Sequence, residues 1–403
     1  MGKVTVKSTV TTPGVVQAVR KIKNNDDKVV PLPAASRVKK LFHCHDFAGL
    51  GATSTVLKEI CDALDSKTNV HLFSCDTLKA SLHFKMHVDP PMFWYKNVLK
   101  RAFHPEVLSK KGSIDHYSFT SPCQGLSQAG LQLGAGDPRT RLALVSVIVL
   151  EKLLPKTWSA EQVWTLASQK RYKKFFDFLL ASCKEVGTAE YGGYIVHWRI
   201  LNSSNFVPQN RPRLYMYGIR KDCMRKNSKG VPTFPVPPPK SARPSLRELL
   251  APVPTAKFKM FPSQEDAGGL HHRNVMDAYE TLLPGVNPFV TPVIVDYKSS
   301  RRFSTCRVEE CMALTKTRAS QRGYWGTTKG GPLEVDELAQ IQGYSSATFP
   351  WKAAGLSEAA AGACLGNGQT LPLVRHLLPT ILFHGSVITF EEFTLLSKRS
   401  LYG

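Results

Sequence analysis

The spacing of apolar and polar positions changes character several times along the chain, and those changes predict its elements. From Val38 to about Arg220 the short apolar runs LFHCHDF, VHLFSCD, HYSFT, TWSAEQV, IVHWRILN and RLYMYGIR have the length and composition of strands. Between them TSTVLKEICDAL, RTRLALVSVIVLEKLL and KKFFDFLLASCKEV place their apolar positions at helical spacing. Strand alternating with helix predicts an α/β domain on a mostly parallel sheet covered on both faces, with ligands at the carboxyl ends of the strands. Residues 38–221 are expected to form the first part of that domain. Residues 222–323, opening with PTFPVPPPKSARP, turn to prolines and loops and read as a smaller inserted domain. LEVDELAQIQGYSS and LGNGQTLPLVRHLLPTIL resume helical patterning, so residues 324–385 are expected to return to the first domain, leaving 386–403 as a C-terminal segment. The first 37 residues show no sustained period and read as a basic arm. No internal repeat is present.

Composition narrows the class. With 403 residues, 42% hydrophobic and 21% charged, the chain is globular and long enough for more than one domain. Its longest strongly apolar run, Leu142 to Leu150, falls far short of the roughly 20 residues a spanning helix needs. MGKVTVKSTVTTPG lacks the apolar core of a secretory signal, so no membrane partner and an intracellular location are expected. The nine cysteines form no CxxC pair, and HCH at His43 to His45 is the one local His/Cys cluster; neither disulfides nor a metal site is expected. Charge changes the picture most. Lys+Arg number 53 against 31 Asp+Glu, a formal +22, and such a field attracts polyanions, nucleic acid first among them. The basic residues are spread through KSARPSLR, DYKSSRR and KTRASQR, which suits a long groove better than one patch. Basic runs such as RVKK and KRYKK suggest a nuclear address, or phosphate contacts.

Candidate chemistry gathers where strands should end. In DFAGLGATS, Gly49 and Gly51 permit a tight turn and close backbone approach to a ligand, or form an ordinary strand-to-helix turn. Asp76, after the second strand, suits ribose hydroxyls or a helix cap. FTSPCQGLSQAG sets Cys123 at the mouth of a glycine-rich stretch, where it is core filler, metal ligand or nucleophile. Glu161 ends the apolar run TWSAEQV, where partial burial favours its protonated form; a surface glutamate is the alternative. QNRPR carries Gln209, Arg211 and Arg213, two guanidiniums on alternate residues, suited to phosphate or a base carbonyl.

The order of these elements is more telling than any one of them. FAGLG, PCQGLSQAG with DPR fourteen residues after the cysteine, EQV, LNSSNFVPQNRPRLYMYGIR, LAQIQGY and LGN resemble, in sequence, the cytosine C5-methyltransferase family from about Val38 to Leu382. The resemblance implies a Rossmann-like S-adenosylmethionine-dependent methyltransferase domain, with the insert as target recognition domain. It implies that Cys123 adds to C6 of cytosine, that Glu161, matching the Glu of the family's ENV motif, protonates N3, and that Arg213 contacts O2, with Arg211 and Gln209 of the same motif beside it. It implies an S-adenosylmethionine site at Phe47, Gly49, Leu50 and Gly51, with Asp76, Asn97, Pro122 and Asn367, and no metal. It implies double-stranded DNA as partner, a flipped-out base, a monomer, and DNA contacts from Gln124, Ser127, Arg139, Arg301 and Arg302.

Departures from the family pattern are His45 in place of the aspartate before FAG, unless the register slips to Asp46, Gln162 in place of Asn, Asn97 in place of Asp, and GGPLEV, without the family's arginine and threonine, before the IQGY helix. They leave two alternatives: an RNA cytosine C5-methyltransferase, whose CFT signature is missing from the insert, and a catalytically silent DNA-binding relative.

Overall fold

The computed structural model describes residues 38–126, 134–225, 233–250, 257–282 and 284–398; the basic arm expected at 1–37, and Ser127, lie outside them. Seven strands form the central sheet: β1 (Lys39–Asp46), β2 (Lys67–Cys75), β3 (Phe93–Tyr95), β4 (His116–Phe119), β5 (Thr157–Val163), β6 (Tyr194–Asn202) and, after the two-residue β7 (Gln209–Asn210), β8 (Pro212–Arg220). Their order is β3-β2-β1-β4-β5-β8-β6. Every neighbour pair is parallel except those of β8, which runs antiparallel to β5 and β6. The expected α/β architecture with a mostly parallel sheet is what the chain adopts. β5 is buried on both faces, with six of its seven residues buried, so its polar Thr157, Glu161 and Gln162 are held inside.

Both faces are covered. Helix α1 (Ala52–Ala63) packs with helices Glu358–Asn367 and Leu371–His384 in one core around Leu41, Val56, Leu365 and Leu378. Helices Pro138–Leu153 and Lys173–Glu185 close the other core around Cys44, Phe73 and Trp158. The segment after the insert therefore does return to the first sheet. Helix α2 (Lys79–Val88) and β3 were not legible as apolar patterns: α2 buries Ser81 and Lys85 beside Phe84, so its inner face is largely polar. The C-terminal residues add a helix, Phe390–Lys398, whose Leu396 joins the first core. No helix among the described residues is long and apolar enough to cross a membrane.

The insert builds a smaller sheet in the order β10-β9-β12-β13, from β9 (Val293–Val295), β10 (Cys306–Val308), β12 (Trp325–Gly326) and β13 (Gly331–Pro332). Its core joins Val275, Val293, Val295 and Trp325. This sheet runs past the boundary expected at Gly323, because GYWGTTKGG, which reads as loop, places Trp325 and Gly326 opposite Val295 and Ile294. β11 (Cys311–Met312) ties the insert back by pairing with β7. Between the two sheets a proline-rich strap follows β8. At Thr233–Pro239 the chain has no regular secondary structure; Phe234 meets the Tyr217 ring at 4.9 Å, and the Pro238 carbonyl accepts from Asn205 at 3.1 Å.

Candidate active site

The strand ends supply the site. β1, β2, β4 and β5 all end at one rim, and because β8 runs antiparallel its first residues start there too. A cleft of about 680 Å³ opens at this rim.

The cysteine loop follows β4 and is held from β5. The Gln162 amide donates to the Ser121 carbonyl (3.0 Å) and hydroxyl (3.1 Å) and accepts the Val163 N–H at 2.9 Å. Gln162 thus braces the Ser121–Pro122–Cys123 turn, despite its departure from the family pattern. Cys123 lines the cleft, half-buried. Burial pushes its thiol above its ordinary value, the Arg213 guanidinium draws it down, and Glu161 pushes it up. Glu161, one of the buried residues of β5, does not stand alone in apolar surroundings: Arg213 Nε lies 3.0 Å from its Oε1. The two guanidiniums of QNRPR do different work. Arg213 faces Glu161, whereas buried Arg211 donates to the carbonyls of Leu314 and Gly368, each at 2.9 Å. Burial holds Arg211 down at about 10.

The other half of the cleft belongs to the β1 and β2 ends. Phe47 and Gly49 both take left-handed φ, 54° and 48°. A Cβ added at Gly49 would meet only the Phe47 carbonyl, at 3.9 Å, so that side of the turn is open. Asp76 bridges the two strand ends, one oxygen accepting the Gly49 N–H and the other the Leu78 N–H, each at 2.8 Å. Burial raises its pKa against the pull of those N–H groups, and each oxygen keeps lone pairs for further donors. Exposed Asn97 lines the wall, its carbonyl oxygen taken by the Leu99 N–H at 2.9 Å. Asn367, at the end of its helix, completes this half.

Of the sequence-predicted residues, Cys123, Glu161, Arg211, Arg213, Phe47, Gly49, Asp76, Asn97, Pro122, Asn367, Gln124 and Arg139 line this one cleft. Arg139 is paired with Asp137, Nη2 to Oδ2 at 2.7 Å. Others lie off its walls. Leu50 turns into the core against Gly368. Gly51 holds φ 65°, and a Cβ there would fall 1.5 Å from the Lys85 ammonium. Gln209 is fully buried in β7, its amide meeting no hydrogen-bond partner among the described residues. Arg301 and Arg302 sit in the insert; Arg301 grips Asp277, Nε to Oδ2 at 2.7 Å, while Arg302 covers the Phe303 ring at 5.6 Å. Sequence reasoning missed Lys96 and Lys316, two further cations on the cleft wall. Their signals were their places, beside Asn97 in YKNV and within CMALTKTR.

Comparison with known proteins gives the family and the fold. The family model for C-5 cytosine-specific DNA methylase matches residues 100–382. The type II methyltransferase M.Sau96I of Staphylococcus aureus is 33% identical over 248 residues, 57% of this chain and 52% of that protein. M.FnuDI of Fusobacterium nucleatum is 28% identical over 171 residues, 41% of this chain and 46% of that one. The chain thus spans about half the length of these curated relatives. Among solved structures, the Entamoeba histolytica methyltransferase EhMeth superposes with a TM-score of 0.57 at 14% identity, over 85% of this chain and 98% of that one. A DNMT2 mutant of Spodoptera frugiperda gives 0.52 at 17%, over 86% and 100%. At such identities the likeness is one of fold.

Proposed function

The chain belongs to the C-5 cytosine-specific DNA methylase family, and from that premise we propose that it methylates C5 of cytosine in double-stranded DNA, with S-adenosylmethionine as donor. The observation that carries the reading is one cleft in which Cys123 faces the Glu161–Arg213 pair while Gly49, Asp76 and Asn367 line the wall beside it.

These residues fit the donor. The open side of the Gly49 turn accommodates close backbone approach, and the half-buried Asp76 carboxylate has lone pairs to spare for ribose hydroxyls. When bound there, S-adenosylmethionine supplies an electrophilic methyl group to the activated carbon of the base. The chain's own groups do the activating. Cytosine C5 is a poor nucleophile until a thiolate adds to C6, so Cys123 adds there as thiolate. Arg213 offsets the burial that disfavours that thiolate. As the ring gains electrons, the proton released by the Cys123 thiol reaches N3 by way of Glu161, and Arg213 neutralises charge at O2. Loss of the C5 proton then expels Cys123, the N3 proton returns through Glu161, and the ring is restored. The 3.0 Å contact between Glu161 and Arg213 lets both groups act on adjacent atoms of one base. Because C6 is inaccessible within a duplex, the base must leave the stack. The +22 charge and the cleft cations Lys96 and Lys316 favour the anionic strand that carries it.

The test is covalent trapping on duplex DNA containing 5-fluorocytosine, where the fluorine at C5 cannot leave as a proton does. The expected result is a protein–DNA adduct that needs S-adenosylmethionine, survives denaturing electrophoresis and is absent from Cys123→Ser, whose hydroxyl is a far poorer nucleophile. Trapping on RNA but not DNA would transfer the reading to RNA, and no trapping on either would overturn it.

A further inference from the structure

Behind the cofactor half of the cleft, on the inner face of the sheet, lies a cluster that the proposed chemistry does not use. His43 and His45 of β1 and His71 of β2 are all buried, and one ring nitrogen from each lies within 4.8 Å of those of the other two. Ring centroids are 4.6 to 5.0 Å apart. The backbone brings them together. His43 and His45 share a face by two-residue alternation, and His71 stands opposite His43. A register irregularity after that pair sets Cys44 against Phe73 and His45 against Ser74. His71 and Ser74, three residues apart, thereby meet on the histidine face, with Nε2 and Oγ 2.8 Å apart. Cys44, the middle residue of HCH, lies in the core of the opposite face and is no ligand.

The outer partners determine where the lone pairs point. Asn69 donates its amide N–H to Asp89 Oδ1 (2.8 Å), so it offers His43 Nε2 only its carbonyl oxygen, at 2.8 Å. His43 must therefore carry its proton on Nε2, leaving a lone pair on Nδ1. His71 Nδ1 faces the backbone oxygen and carboxylate of Asp89, both at 2.9 Å. Its proton is on Nδ1, and its lone pair on Nε2. His45 Nδ1 lies 2.5 Å from the Ser118 hydroxyl, which can donate or accept, and its Nε2 lies 2.7 Å from His43 Nδ1. Each imidazole thus has one nitrogen tied to an oxygen and the other turned inward, the outer arrangement by which metal-binding histidines are oriented.

We infer that His43 Nδ1, His45 Nε2 and His71 Nε2 form a binding site for one late first-row divalent metal ion, zinc foremost, which pins β1 to β2 directly beneath the Phe47 and Asp76 turns. Three neutral nitrogen donors favour zinc, copper or nickel over magnesium or calcium. Metal–nitrogen bonds of about 2.0–2.1 Å place tetrahedral donors roughly 3.3 Å apart, so His43 and His45 part by about half an ångström on binding. The His45 proton moves from Nε2 to Nδ1, where it donates to Ser118 Oγ, and no proton leaves the site. Ser74 Oγ is the oxygen at hand for the fourth position, directly or through water. Asp89 supplies the nearby negative charge, against the buried Lys85 ammonium that also acts on all three rings. The sequence expectation of no metal site weighed HCH only as a local cluster; the third imidazole comes from another strand, 26 residues beyond His45.

The test uses the full chain, stripped with a strong chelator and titrated with Zn²⁺ or Co²⁺. Expected are one equivalent of tightly held zinc by elemental analysis, visible d–d absorption of tetrahedral Co²⁺, and a rise in melting temperature that Mg²⁺ does not give. His43→Gln/His71→Gln should lose the bound equivalent, while His83→Gln/His87→Gln, two exposed residues of α2, should keep it. Should the first double variant fail to fold, the wild-type chain decides alone: no Co²⁺ absorption and no gain in melting temperature would make the cluster a hydrogen-bonded core. Metal retained by a folded His43→Gln/His71→Gln chain would place the ion elsewhere and equally overturn the site.

Discussion

Replacing Arg211 with methionine tests whether this arginine braces the cleft. Its two donors hold the carbonyls of Leu314 and Gly368 at 2.9 Å each. Hydrogen bonds from a charged donor contribute about 1.5–3 kcal/mol each, so an upper bound on the loss is about 3–6 kcal/mol. Two features reduce it. The Gly368 carbonyl also accepts from the Gln342 amide at 3.2 Å, so only the Leu314 carbonyl is orphaned. Methionine also removes a buried cation, whose desolvation is what pulls Arg211 down to about 10. The expected net loss is about 2–4 kcal/mol, read as a lower urea midpoint with unchanged slope. Arg211→Lys, a point donor in place of a fork, should fall between. Leu314 leads to Lys316 and Gly368 follows Asn367, both on the cleft wall, so S-adenosylmethionine affinity should drop with stability. A midpoint shift worth less than about 0.5 kcal/mol, the range of an ordinary surface change, would refute the brace and return Arg211 to direct ligand contact.

Gly49→Val and Gly51→Val should separate binding from folding. Both hold left-handed φ, 48° and 65°, so either substitution strains the backbone; Gly49→Val, with open space beside its Cβ, should lose cofactor in calorimetry with a modest drop in melting temperature, whereas Gly51→Val, whose Cβ must displace the end of the buried Lys85 side chain, should lower the melting temperature further. In the insert, Arg302→Gln should lower the salt dependence of DNA binding by about one ion, and Arg301→Gln by less, because Asp277 already pairs with it; equal slopes would contradict this. Lys85 supplies a pH test. Burial holds its folded pKa at about 8, below the ordinary 10.5, so the unfolded chain binds its proton more tightly and the penalty, complete below pH 8, fades as pH rises toward 10.5. Lys85→Met should therefore exceed the wild type in denaturant stability by more at pH 7 than at pH 9.5, and a gap that widens with pH would rule this out.

Much of the central sheet was legible because its strands are short segments rich in aromatic and branched residues set between helical patterns, although TWSAEQV carries Thr, Ser, Glu and Gln among its seven residues. The cleft was legible in part because its residues are short motifs placed at strand ends. What escaped shows the limits of one-dimensional periodicity. Helix α2 hides a lysine and a serine on its inner face, which no apolar template detects. The histidine cluster depends on a register irregularity that changes which residues of β2 share a face, and strict alternation would put His71 with Phe73 instead of Ser74. Leu50 sits inside a ligand motif yet packs in the core, because a motif records which residues recur, whatever the direction in which each side chain leaves the backbone. QNRPR likewise contains a brace and a cleft-facing group two residues apart, and only the partners, Leu314 and Gly368 for one and Glu161 for the other, tell them apart.

The strap at residues 233–239 makes the path from β8 into the insert a matter of length. β8 carries the chain to the far end of the sheet, where the Arg220 N–H bonds the Lys156 carbonyl just before β5 begins, so whatever follows has to travel back to reach the rim. Four of the five residues 235–239 are proline, and Pro239 holds φ −65° and ψ 148°, the values of a polyproline helix that advances about 3.1 Å per residue and stretches little. Anchored on Tyr217 at one end and Asn205 at the other, it acts as a ruler laid along β8. One residue added between Pro235 and Pro238 would upset the spacing between those two anchors, so either the Phe234–Tyr217 contact or the Asn205–Pro238 hydrogen bond would have to give way while β11 still held the insert on β7.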